Sequence, residues 1–258
     1  MAIGIINTSA SAQRKTADHR SEMINQLLFG EIVLVGEEKG EWSKVVCYPD
    51  QYEGFVLSAH IRKLSAENPE EVLGNNTHIS SDWVSLLSGK ESLSTMIIPP
   101  GSRLYNIRDA YFELEGWQQK ITGKLLEYQS KIAAEVLIAN AFRFLNTPYL
   151  WGGKTPFGMD CSGFIQVVFR MSGIELPRDA WQQAEKGSGV GFVEECIPGD
   201  LAFFGEENQS INHVGLILSS NSIIHCSRKV KVDSFDHNGI FSDKTYSHKL
   251  RLIKRIKS

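Results

Sequence analysis

Residues 151–164 read Trp151-Gly-Gly-Lys-Thr-Pro-Phe-Gly-Met-Asp-Cys-Ser-Gly-Phe164, a glycine-rich approach that ends in Asp160, Cys161 and Ser162 and then turns apolar. Phe164, Val167, Val168 and Met171 follow at i, i+3, i+4 and i+7, one face of a helix. The spacing places Cys161 at or beside the N-terminus of that helix. Backbone N–H groups and the positive end of the helix dipole favour a thiolate there, and the thiolate is the nucleophilic form. Most free cysteines pack as small apolar side chains. Here the glycine-rich approach and the polar flanks Asp160 and Ser162 point to an exposed turn and a cysteine that acts.

A nucleophile needs a base and a group that orients the base. Of the 7 histidines, His213 opens His-Val-Gly-Leu-Ile-Leu and His225 lies in Ile-Ile-His-Cys-Ser, both strand-like runs. Side chains alternate across a sheet, so a strand histidine can face a cleft. Either one alone reads better as a packed or surface histidine. Together with Cys161 they supply the three parts of a thiol acyl-transfer site in chain order. Upstream, Ile132, Ala133, Val136, Leu137, Ala139, Asn140, Phe142 and Arg143 predict an amphipathic helix from about Ser130 to before Asn146-Thr-Pro148. Downstream, Leu201–Phe204, Val214–Leu218, Ser222–Cys226, Lys229–Val232 and Leu250–Ile253 predict strands. A helical half carrying the cysteine, followed by an antiparallel sheet carrying the histidines, is an α+β layout.

At 258 residues the chain is long enough for two or three domains. A net charge of −3 gives no reason to expect nucleic acid or an anionic membrane as partner. The basic end, Lys249 to Lys257, reads as a last strand with a charged face. No run reaches the apolar length of a membrane span, and the first residues lack the charged and apolar regions of a signal peptide. The 4 cysteines, Cys47, Cys161, Cys196 and Cys226, form no CxxC pair, so neither a metal site nor a disulfide framework is expected. A reducing cytoplasm is the expected location.

Residues 1–64 read as short strands: Leu27–Gly30 leading into Glu31–Val35, then Trp42–Cys47 and Tyr52–Leu57. With Arg14 in a leading segment, this ordered set resembles bacterial SH3-type barrels. Ser65–Glu71 is a polar, proline-containing linker. Trp83-Val84, Met96–Leu104 and Tyr111–Leu114 predict further strands. Pro99-Pro100-Gly101 resembles the loop of a second SH3-like barrel. The expected domains are thus 1–64, 65–128 (linker and second barrel) and 129–258.

Residues 130–258 resemble the NlpC/P60 cysteine peptidases, whose catalytic domain has a papain-like fold. The matching pieces are Pro148-Tyr-Leu-Trp-Gly-Gly153, Asp160-Cys-Ser-Gly-Phe164, Leu176-Pro-Arg-Asp179, Pro198–Phe204, His213-Val-Gly-Leu216 and His225. The resemblance implies Cys161 as nucleophile, His213 as general base, His225 as the third member and Tyr149 near the oxyanion. With SH3-like domains in front, the chain resembles the γ-D-glutamyl-L-diamino acid endopeptidases. These act on murein tripeptides and tetrapeptides with a free N-terminal L-Ala and use no metal or organic cofactor. The resemblance also places Asp160, Ser162 and Asp179 around the substrate, with Glu22 and Tyr52 as the pocket groups of the first barrel. Relatives often carry serine after the Arg-Asp step, where this chain has Ala180. A monomer is expected. The competing expectations are an exported peptidoglycan hydrolase and a non-catalytic wall-peptide-binding protein.

Overall fold

The computed structural model describes residues 1–74, 77–89, 95–128 and 133–256. The chain divides into two compact units, Met1–Tyr128 with Lys154–Pro156, and Gln129–Gly153 with Phe157–Ser258.

The first unit is built of antiparallel strands. One seven-stranded sheet runs in the order Met23–Leu28, Ala10–Arg14, Glu53–Leu57, Trp42–Cys47, Ile32–Lys39, Ala2–Ile6, Ile61–Lys63. A four-stranded and a three-stranded sheet follow, formed from strands between Thr77 and Glu127. Ile3, Ile5, Phe29 and Ile32 share one buried cluster with Val72, Leu87, Leu104 and Phe112. The strands on either side of the Ser65–Glu71 segment therefore bury apolar surface together. Backbone and side chain both cross that join: Arg103 N–H donates to Phe29 O at 2.9 Å, and Tyr105 Oη donates to Gly30 O at 2.5 Å. The expected strand at Trp83-Val84 is instead a bend between the Thr77–Ser80 and Ser85–Gly89 strands. Both side chains are exposed there, and Lys124 N–H donates to Asp82 Oδ2 at 2.7 Å across it. Residues 154–156 count with this unit, where Lys154 Nζ pairs with the buried Glu31 carboxylate at 2.8 Å.

The second unit places the Ala134–Phe142 and Cys161–Arg170 helices and a short Ala180–Gln183 helix beside an antiparallel sheet. The expected helix start at Ser130 and Ile132 lies outside the described residues. The sheet order is Ser188–Val190, Thr245–Arg255, Leu201–Phe204, His213–Ser219, Ser222–Ser227, Lys229–Asp236, Gly239–Ser242, and the last of these pairs back to Thr245–Arg255. Six of the strands therefore close into a barrel, which removes exposed edges. The Cys161–Arg170 helix was expected to bury one face, yet all ten of its residues are buried. It lies between the barrel strands and the Ala134–Phe142 helix, with Phe144 and Phe164 in edge contact at 6.2 Å. Two of its polar side chains find partners inside: Gln166 Nε2 donates to Leu176 O at 2.9 Å, and Arg170 pairs with Glu175 at 3.4 Å.

Candidate active site

The loop that leads to Cys161 is narrow because its backbone is folded on itself. Gly153 N–H donates to Leu150 O at 2.9 Å, and a Cβ on Gly153 would sit 2.4 Å from Gly158 O. A side chain there would force the loop open. Asp160 ends the loop as the N-cap of the Cys161–Arg170 helix and accepts the Gly163 N–H at 2.6 Å. Its other contacts are stronger. Arg178 meets both carboxylate oxygens, Nη2 to Oδ2 at 2.6 Å and Nη1 to Oδ1 at 3.1 Å. Gly152 N–H adds a bond to Oδ2 at 2.9 Å. Ser162 Oγ accepts from Arg178 Nη1 at 2.9 Å and donates to Asp160 Oδ1 at 3.3 Å. Asp160, Ser162 and Arg178 are all buried. Their hydrogen bonds clamp the start of the helix, and with it Cys161, to the Leu176–Arg178 segment. The exposed turn expected from the sequence is therefore a buried, bidentately locked one.

The histidines are delivered by neighbouring barrel strands. His225 is the register partner of Gly215, two residues from His213 on the same face. A Cβ on Gly215 would lie 3.0 Å from the His225 Cβ and 2.7 Å from Ile223 Cδ1, so glycine lets the two strands present both imidazoles side by side. His213 Nε2 and His225 Nδ1 share a hydrogen bond of 2.8 Å. His225 Nε2 is bonded to Asp233 Oδ2 at 2.9 Å, and Lys231 Nζ holds the same oxygen at 2.8 Å. His248 stacks on His213, ring centroids 4.0 Å apart and 26° between planes. Cys161, His213, His248 and Tyr149 line one cavity of about 470 Å³, together with Asn212, Cys226, Ser227 and Arg228.

Burial sets the protonation of this pair. Burial pushes the Cys161 thiol up to about 12, with the neighbouring Asp160 carboxylate in the same direction; the Val214 and Ser162 N–H groups and Arg178 oppose it. Burial also holds His213 well below the ordinary 6.5, helped by His248, His225 and Lys231. The helix terminus that favours a thiolate is present, but desolvation outweighs it. Burial thus favours a thiol and a neutral imidazole over a preformed ion pair. His225 is also lowered by burial, while the Asp233 hydrogen bond pulls it back up. Burial raises the Tyr149 hydroxyl above its ordinary value, so it remains a donor at neutral pH.

The structure thus brings Cys161, His213 and Tyr149 to one cavity and links His225 to it through His213. Asp179 caps the Ala180–Gln183 helix, and its N–H donates to Gln182 Oε1 at 3.0 Å. Glu22 and Tyr52 are residues of the first unit. There Glu22 pairs with Lys15 at 3.6 Å, and Tyr52 is half-buried against the Ile6, Leu27 and Val33 cluster. Sequence reasoning missed Asp233, His248 and the role of Arg178. Strand alternation could have found Asp233, because Lys231 is the register partner of His225 and Asp233 follows it by two on the same face. No local pattern announces His248, which reaches the cavity only because the last strand closes the barrel.

An antiparallel barrel that brings a histidine into one cavity with a cysteine at a helix start is the site of a thiol hydrolase of papain-like type, and the chain is a peptidase of the NlpC/P60 family. That family matches residues 146–251, and the bacterial dipeptidyl-peptidase SH3 domain matches residues 14–61. Over 220 residues the chain is 31% identical to the gamma-D-glutamyl-L-lysine dipeptidyl-peptidase of Bacillus subtilis, covering 80% of this chain and 73% of that one. It is 28% identical over 250 residues to dipeptidyl-peptidase 6 of Lysinibacillus sphaericus, covering 85% and 86%. The crystal structure of an NlpC/P60 family protein from Bacillus cereus superposes with a TM-score of 0.82 over 98% of this chain and 99% of that one, at 21% identity, which shows a common fold.

Proposed function

We propose that this protein hydrolyses the γ-D-Glu–L-diamino acid bond of murein peptides that carry a free N-terminal L-Ala, releasing L-Ala-D-Glu in the cytoplasmic recycling of wall peptides. One observation carries the reading: Cys161 starts a helix in the same cavity as His213, and His213 is the first link of a chain of hydrogen bonds through His225 to Asp233. The dipeptidyl-peptidase activities of the relatives support the bond and the dipeptide product. The protein acts on its small substrates as a monomer.

The chemistry follows from the neutral resting pair. His213 takes the Cys161 proton as sulfur attacks the amide carbon of the γ-D-Glu side chain. The C=O electron pair moves to oxygen, where the Cys161 N–H and Tyr149 Oη receive it. His213⁺, steadied by His225 and Asp233, returns the proton to the departing amine as the C–N bond breaks. Water then attacks the thioester carbon, gives its proton to His213, and Cys161 leaves as the thiol. Tyr149→Phe is expected to lower kcat by ~10²–10³, the usual effect of losing one oxyanion donor; an unchanged kcat would remove Tyr149 from this role. Because His213 is held well below 6.5, it stays a neutral base into mildly acidic solution. The acid limb of a kcat/KM profile is therefore expected below pH 6.5, and a limb at or above that value would contradict the desolvated base.

The free-amine requirement is tested by comparing L-Ala-γ-D-Glu-L-diamino acid with its N-acetylated form. An ammonium is selected by carboxylates, and the family resemblance offers Asp179 and Glu22, together with Tyr52, for that role. The acetylated peptide is expected to be cut at least tenfold more slowly. Equal rates would remove the amine pocket.

A further inference from the structure

A second cavity, of about 470 Å³, adjoins the catalytic one, and Ser227 and Arg228 line both. Its wall is basic: Arg228, Lys229 and Lys231 against the single acid Asp243. The two lysines are anchored, Lys229 Nζ to Asn146 Oδ1 at 2.7 Å and Lys231 Nζ to Ser242 Oγ at 2.9 Å and to Asp233. Arg228 is held differently. Its contact with Asp243 is 3.7 Å long, between side chains 87% and 80% exposed. Such a pair is worth little and is readily exchanged for a better anion.

The backbone fixes this arginine at the lip of the cleft. Arg228 is the single residue between the Ser222–Ser227 and Lys229–Asp236 strands and has a φ of 63°. A left-handed conformation of this kind is usually left to glycine or asparagine. The Arg228 carbonyl accepts the Tyr149 N–H at 2.8 Å, and Pro148 bridges to Lys229. The turn is therefore tied to the segment that bears Tyr149. The Ser222–Ser227 strand that enters it carries His225, which is bonded to His213. The acyl side of a reacting amide lies at the helix start, by Cys161. The departing amine must lie toward His213, the group that protonates it, and hence toward this strand and its turn.

Resting on the reading of the reaction above, we propose that Arg228 is the carboxylate-binding residue of a subsite for the leaving diamino acid, with Lys229 and Lys231 adding a positive field. A guanidinium fork matches a carboxylate bidentately. The leaving residue offers its α-carboxylate when the peptide ends at position three. Diaminopimelate adds a second carboxylate beside the side-chain ammonium that lysine carries alone, so its side chain has no net charge where that of lysine is a cation this field repels. The subsite thus favours diaminopimelate over lysine at position three.

The test measures binding and turnover together, in the full chain and in Arg228→Gln and Arg228→Lys, with thermal midpoints confirming that these exposed variants stay folded. Free diaminopimelate and free L-Ala-D-Glu are titrated by calorimetry. Then kcat/KM is measured for the tripeptides ending in lysine, lysine amide and diaminopimelate. The expected result is that Arg228→Gln weakens diaminopimelate binding about tenfold or more and leaves L-Ala-D-Glu binding unchanged. Its turnover loss should appear in KM, and Arg228→Lys should recover part of it. Sensitivity lost in the lysine amide assigns the α-carboxylate; extra sensitivity with diaminopimelate assigns the side-chain carboxylate. Diaminopimelate binding equal in the native chain and Arg228→Gln overturns the subsite, whatever the turnover, as does a loss confined to L-Ala-D-Glu. No cleavage of any tripeptide, with Arg228-dependent diaminopimelate binding intact, sinks the reaction and keeps the subsite.

Discussion

Cys161→Ala is expected to lower release of L-Ala-D-Glu by on the order of 10⁴-fold or more, the scale seen when a covalent nucleophile is removed, with the thermal midpoint nearly unchanged. The size follows from the site's construction. The other components, His213 with its bonds to His225 and Asp233 and the stacked His248, bring a base to the sulfur and have no second acceptor for the acyl group. Removing the sulfur leaves a base without a nucleophile. Cys226 does not substitute: it lines the same cavity, but its thiol is buried and donates to Met159 O at 3.1 Å. The fold tolerates the change because alanine leaves the helix cap untouched, and the cap is made by Asp160. Steady-state turnover together with circular dichroism checks both halves. Residual turnover within tenfold of the native rate would mean that another group carries the acyl chain.

The largest expected loss of stability comes from Arg178→Leu, about 3–5 kcal/mol by denaturant titration. Arg178 and Asp160 side chains are 1% and 7% exposed, so removing the guanidinium strands a carboxylate in the interior. The Gly152 and Gly163 N–H groups remain as its partners, which limits the loss without cancelling it. The double variant Arg178→Leu with Asp160→Leu is expected to recover part of the stability and none of the activity. It restores an uncharged interior and removes the cap that places Cys161. A single variant costing under 1 kcal/mol would show that the ion pair does not hold the loop.

Much of the site was legible because its parts are local. The Gly-rich run and the apolar spacing after Phe164 place Cys161 at or beside the start of a helix, and the structure begins that helix at Cys161, with Asp160 as its cap. Leu201–Phe204 has the same bounds in sequence and structure, because an apolar run between turn signals has one reading. Parts built by long-range pairing were not legible. His248 joins the cleft through barrel closure, and the shared core of the first unit depends on Phe29 meeting Phe112, far apart in sequence. Burial was the other gap. Asp160 and Ser162 look like an exposed polar turn until Arg178 is seen to neutralise the carboxylate. That same burial opposes the expected thiolate, because local sequence reports the helix dipole and not the solvent that is missing around it. Trp83-Val84 is the opposite error, two strand-forming residues that the structure leaves on a bend.

The most direct test of the account is product analysis. The protein is incubated with L-Ala-γ-D-Glu-L-diamino acid, and the products are identified by chromatography and mass spectrometry. L-Ala-D-Glu and the free diamino acid are expected in equal amounts. An intact tripeptide, or free L-Ala from cleavage of the first bond, would contradict it.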